Sequence, residues 1–142
     1  MGELKVCFAP TQQQTFPKEI IMGLDMYAYT TSKTPSKPFG FPKDTTTEEI
    51  HYWRKHPDLH GWMENLYKSR GGFKEFNTVT LVLTASDLDR LEEDICNKKL
   101  PVTSGFFFGA SDGAEKADDL EFIAKAKTAI AEGKTVFYWS WW

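Results

Sequence analysis

Gly23-Leu24-Asp25-Met26-Tyr27-Ala28-Tyr29-Thr30 alternates strictly: Leu24, Met26 and Ala28 fall on one side of an extended chain, Asp25, Tyr27 and Tyr29 on the other. Side chains of a strand point to opposite faces with a period of two, so the stretch predicts a β-strand. The closing run Thr135 to Trp141 has the same period. Phe137, Trp139 and Trp141 share one face there, and Tyr138, Ser140 and Trp142 the other. Val79, Leu81 and Leu83, alternating with Thr80 and Val82, predict another strand.

Helical signals fill the space between. Thr45, Thr46 or Thr47 can cap a helix whose first turn carries Glu48 and Glu49. Ile50, Trp53, Leu59, Trp62, Met63 and Leu66 continue it at helical spacing. Pro57 disfavours the α conformation at His56, which predicts two helices or a sharp kink, ending at Gly71-Gly72. Thr84 or Ser86 caps a further helix with Leu88, Leu91 and Ile95 inward, ended by Pro101. Phe106 to Phe108, between Gly105 and Gly109, reads as a short buried strand. Asp112 with Glu115 resembles a capping box opening a helix with Leu120, Ile123, Ala126 and Ile130, stopped by Gly133. The order β-α-α-β-α-β-α-β predicts one α+β domain: a three- to four-stranded sheet with helices mainly on one face.

The domain is expected to span residues 22–142. Residues 1–21 contain Pro10, Gln12-Gln13-Gln14 and Pro17 and read as an extended or loosely attached arm, with Met22 a second possible start. Residues 31–44, with Pro35, Pro38, Gly40 and Pro42, read as a surface loop. At 142 residues, 41% hydrophobic and 26% charged, the chain can bury a core, which excludes global disorder. A net charge of −3 without a basic block makes nucleic acid an unexpected partner. The apolar runs are too short to span a bilayer and Met1 to Ala9 lacks a secretory pattern, so a cytoplasmic location without a membrane partner is expected. Cys7 and Cys96 match no metal or redox spacing.

Four groups of residues invite a chemical reading. His56 and His60 stand four apart, a spacing that binds zinc on one helix, but Pro57 sets His56 before the helix begins, so no metal is expected. The bland alternative has His56 at a cap, His51 on the surface and His60 in the core. Arg54, beside Tyr52 and Trp53, can join His60 in an anion site, lie over a ring, or pair with Glu49 or Asp25. The glycine-bracketed run Gly105 to Gly113, with Gly109 and Ser111, reads as a weak phosphate loop whose anion position Asp112 itself would fill. The aromatic end can line the core with one face and, with the other, pack on helices, meet a partner or bind a flat ligand through Trp139 and Trp141. No catalytic residue and no cofactor is assigned.

Four segments also form a recognisable set: Met22-Gly23-Leu24-Asp25-Met26-Tyr27; Glu49-x-x-Tyr52-Trp53-Arg54-Lys55 with Leu59-His60-x-Trp62; Leu100-Pro101-x-Thr103-x-Gly105-Phe-Phe-Phe-Gly109; and Tyr138-x-Ser140-Trp141. Together they resemble a family of small uncharacterised proteins of bacteriophage and bacterial genomes, some of which carry a phosphoglycerate-kinase label. Kinases of that name are far larger two-domain enzymes, and their nucleotide-binding signatures are missing here. The resemblance covers roughly residues 22–142 and implies a phage or mobile-element setting. Its members often have Asp where Trp139 stands.

These readings converge on a non-catalytic binding module with an aromatic surface formed by Trp139, Trp141 or Trp142 with Tyr27 and Tyr29. Its partner is expected to be a protein or a second copy meeting the C-terminal strand. The alternative is a small enzyme or nucleotide-binding protein with Asp25, Arg54, His60 and the Gly105–Gly113 loop in one pocket.

Overall fold

The computed structural model describes residues 23–40, 46–104 and 109–142. The elements run β1 (Asp25–Thr31), β2 (Glu48–Arg54), α1 (Pro57–Ser69), β3 (Leu81–Leu83), α2 (Ala85–Cys96), α3 (Lys116–Ala131) and β4 (Thr135–Trp141). The four strands form one antiparallel sheet in the order β2-β1-β4-β3. This is the expected small α+β domain. The expected arm at residues 1–21 and the strand at Phe106–Phe108 lie outside the described residues.

Glu48–Arg54 corrects one expectation: it is a strand, not the first helix. Ile50 and Trp53 stand at helical spacing, yet His51 and Trp53 are buried while Tyr52 and Arg54 are exposed, which is the period of a strand. β1 lies in the middle of the sheet, and β2 satisfies the backbone groups along one of its edges. A bulge between Ala28 and Tyr29 shifts the pairing register there. The Pro57 boundary stands as expected, with the proline in the first turn of α1.

Thr84 caps α2 through a reciprocal box. The Asp87 N–H donates to Thr84 Oγ1 at 3.2 Å and the Thr84 N–H to Asp87 Oδ2 at 2.9 Å. The box expected at Asp112 takes another form, because α3 begins at Lys116. The Glu115 carboxylate accepts the N–H groups of Asp112 and Gly113, and Asp112 turns back on the Ala114 N–H.

The core lies between the helices and one face of the sheet. That face presents Met26, Ala28, Trp53, Leu81, Leu83, Val136 and Tyr138, packed with Leu59 and Met63 of α1, Leu88 and Leu91 of α2, and Phe122 and Ile123 of α3. Each fully buried side chain of this size contributes about 1.5–3 kcal/mol. The outer edge of β3 is covered by the loop after β1: the Gly40 N–H donates to the Thr80 carbonyl and the Val82 N–H to the Pro38 carbonyl, both at 2.8 Å.

Candidate functional site

The second face of the sheet carries a grid of aromatic rings, because each register position places one outward residue of each strand beside the next. Tyr52, Tyr27 and Trp139 form one row across β2, β1 and β4. Arg54, Asp25 and Trp141 form the row on one side, and Glu49, Tyr29 and Phe137 the row on the other. Tyr27 is the hub. Its ring centroid lies 5.1 Å from Tyr52, 5.7 Å from Trp139 and 5.8 Å from Tyr29. Among the described residues no helix covers this face; Tyr52 is 43% exposed and Trp141 40%. Tyr27, Tyr29 and Trp139 are half-buried, whereas Phe137 is buried.

The charges on this face are paired at one end and unbalanced at the other. Asp25 Oδ1 accepts from Arg54 Nη1 and from the Tyr52 hydroxyl, each at 2.7 Å. Burial and then the bond to Asp25 push the Tyr52 phenol up to about 12. Burial raises the Tyr27 phenol, and the carboxylates of Asp25 and Glu49 add to the rise against a smaller opposing effect of Arg54. Tyr29 is raised by burial and by Glu49. The field over the rings therefore has a negative bias.

The sequence-derived candidates separate into three places. Asp25, Arg54, Trp139 and Trp141 share the aromatic face. His60 is on the opposite side of the sheet, in the core, where its Nδ1 shares a 2.6 Å hydrogen bond with the Tyr138 hydroxyl. Burial lowers its pKa to about 4, so it is a neutral core residue at pH 7. Trp142 lies edge-on to His60 at 5.1 Å and belongs to that side too. Gly109 and Ser111 lie in the loop before α3, Gly109 against Lys55 and Ser111 against His56. A single pocket of Asp25, Arg54, His60 and this loop is not what the chain builds. Among the described residues both sides of β4 are engaged: β1 pairs along its whole length, β3 pairs with Val136–Tyr138, and the Thr78 N–H donates to the Ser140 carbonyl at 2.8 Å.

His56, expected at a helix cap, lies at the N-cap position of α1 without capping it, and is buried. Its Nε2 is 2.8 Å from Asp119 Oδ2 and its Nδ1 is 2.7 Å from Ser111 Oγ. The other oxygen of Asp119 accepts the Trp53 indole N–H at 2.9 Å, and Ser111 Oγ accepts the Asp58 N–H at 3.1 Å. Ser111, half-buried, thus ends a serine–histidine–aspartate chain whose other two members are buried, in a cleft of about 330 Å³. One sequence signal could have found it. Gly109-Ala110-Ser111-Asp112-Gly113 is G-x-S-x-G, which corrects the expectation that the chain holds no nucleophile motif of this kind. The setting is not the usual nucleophile elbow: Ser111 is absent from the residues of positive φ, and α3 starts five residues later.

Comparison with known proteins finds no match among family models, curated proteins or solved structures. Among the described residues, no three or more His, Cys, Asp or Glu side chains form a group that could hold a metal ion. No helix among them is long and apolar enough to cross a membrane.

Proposed function

We propose that this chain is a binding module whose aromatic sheet face takes a protein segment bearing arginine or lysine side chains. The single observation that carries the reading is the grid of Tyr52, Tyr27, Trp139 and Trp141, laid side by side and left partly exposed on a face without helices. Tyrosine, tryptophan and arginine dominate protein-binding hot spots, because they give large contact area at low conformational cost. Asp25 and Glu49 supply the sign. Cations over these rings gain attraction from the ring faces and from the carboxylates, while a phosphodiester chain meets a negative field. A phage or mobile-element origin and a cytoplasmic setting belong to the same proposal, and rest on the sequence resemblance and composition alone.

Calorimetric titration with short arginine-rich, glutamate-rich and uncharged peptides, with an oligothymidylate and with a neutral oligosaccharide tests the proposal. The arginine-rich peptide is expected to bind, and the double variant Tyr52→Ala, Trp141→Ala to weaken it about 10-fold or more. Both side chains lie outside the core, at 43% and 40% exposure, and circular dichroism of the variant checks that the fold is kept. Binding indifferent to the double variant, or confined to the oligonucleotide or the sugar, overturns it.

A further inference from the structure

We propose a second site, independent of the sheet face: Ser111 is an acyl-accepting nucleophile, with His56 as its general base and Asp119 positioning the imidazole. The two sites share no residue.

Hydrogen-bond direction carries the argument. An indole N–H can only donate, so Asp119 Oδ1 accepts from Trp53. As a carboxylate Asp119 accepts at Oδ2 as well, which places the imidazole proton on Nε2 of His56. In the neutral imidazole Nδ1 then carries the lone pair and accepts from the Ser111 hydroxyl 2.7 Å away, with Glu115 Oε2 the other polar group near that nitrogen, at 3.9 Å. The Asp58 N–H, in the first turn of α1, donates to the same Oγ and favours negative charge on it. In the familiar triads the carboxylate holds Nδ1 and the serine faces Nε2. Here the two nitrogens exchange places, and the chemistry survives the exchange. It needs one ring N–H held by a carboxylate and the other nitrogen facing the hydroxyl.

The cleft sets the substrate class. Ile95 and Leu100 give it an apolar wall, and Lys98 and Lys116 are among its lining residues. The backbone N–H groups of Asp112, Gly113 and Ala114 are engaged by Glu115 and Asp112. Among the described lining residues, Lys98 and Lys116 are the cations assigned to a developing oxyanion. This combination fits an ester of a small aliphatic acid.

In the reaction, Ser111 Oγ bonds to the ester carbonyl carbon as its proton passes to His56 Nδ1. The tetrahedral adduct collapses, the carbon–oxygen bond to the alcohol breaks, and the alcohol leaves with that proton. Water, giving its proton to the same Nδ1, then attacks the acyl-serine. Breakdown returns the proton to Oγ and releases the acid.

The test incubates the full chain with p-nitrophenyl acetate and follows nitrophenol release and peptide mass. Acetyl is expected on Ser111, with loss of that adduct in Ser111→Ala and a fall of about 100-fold or more in its rate of formation in His56→Gln. Asp119→Asn is expected to slow the step and alter its pH profile. Should a buried variant fail to fold, the wild-type profile decides: Ser111 acylation levels off once the imidazole is neutral, whereas lysine acylation keeps rising with pH. Acetyl found only on lysines or the amino terminus, a Ser111 rate unchanged in folded His56→Gln, or a profile that never levels overturns the proposal.

Discussion

Gly61 lies inside α1, where a glycine ordinarily costs helix stability. Its reason is a neighbour. A Cβ at this position would land on the Thr103 hydroxyl and 2.9 Å from the Thr103 Cβ. Thr103 is itself tied down, its N–H donating to Asp58 Oδ1 at 3.0 Å. Gly61→Ala is therefore expected to destabilise by about 1–3 kcal/mol, by overpacking. Helix propensity alone predicts a gain of about 0.5–1 kcal/mol, so urea unfolding tells the two apart by sign. Legibility at this scale was uneven. Pairing of Arg54 with Glu49 or Asp25 was among the sequence alternatives, and the structure pairs it with Asp25. His51 was expected on the surface and is buried, its ring 4.5 Å from Trp53 and its Nε2 3.0 Å from Asp118. Nothing next to His51 in the chain announces Asp118.

Among the elements, α2 follows its sequence most closely. Thr84 and Asp87 are three residues apart, and their box forms wherever that turn forms. Burial alone would raise the Asp87 carboxyl, but Arg70, at 2.5 Å, and the Thr84 N–H hold it below its ordinary value. Arg90 adds a second contact. Thr84→Ala is expected to cost about 0.5–2 kcal/mol, and Ser86→Ala, at an exposed position of the same helix, close to nothing. Thermal unfolding of the two variants checks the assignment of the cap. β2 departs from the sequence expectation for a physical reason. Ile50 and Trp53 stand three apart, a helical spacing, while His51 and Trp53 stand two apart, the spacing of a strand; the pairing with the edge of β1 decides between them.

The molecule as a whole carries a buried neutral histidine, and this gives its stability a pH dependence. His60 titrates at about 4 in the folded chain against an ordinary 6.5. Between those values the unfolded chain binds more protons, so stability falls as pH drops from 6.5 towards 4 and is fully present above that window. The loss is of the order of 3 kcal/mol at most. Urea unfolding at pH 7.5 and pH 4.5 is expected to give a smaller difference in His60→Asn than in the parent protein. An equal difference would assign the acid sensitivity to other groups.

The sequence alone determined the periods and the stops: strands at β1, β3 and β4, the break at Pro57, a cap of α2 at Thr84 or Ser86, and an α+β domain. These are local properties, set by side-chain direction within a few residues. Tertiary structure decided the rest. It made β2 a strand, put Tyr52, Tyr27, Trp139 and Trp141 side by side on one face, and sent His60 to the other. It also joined His56 to Asp119 across 63 residues and to Ser111 across 55. Contacts at such separations form only when the sheet closes and the helices pack on it, and no spacing along the chain records them.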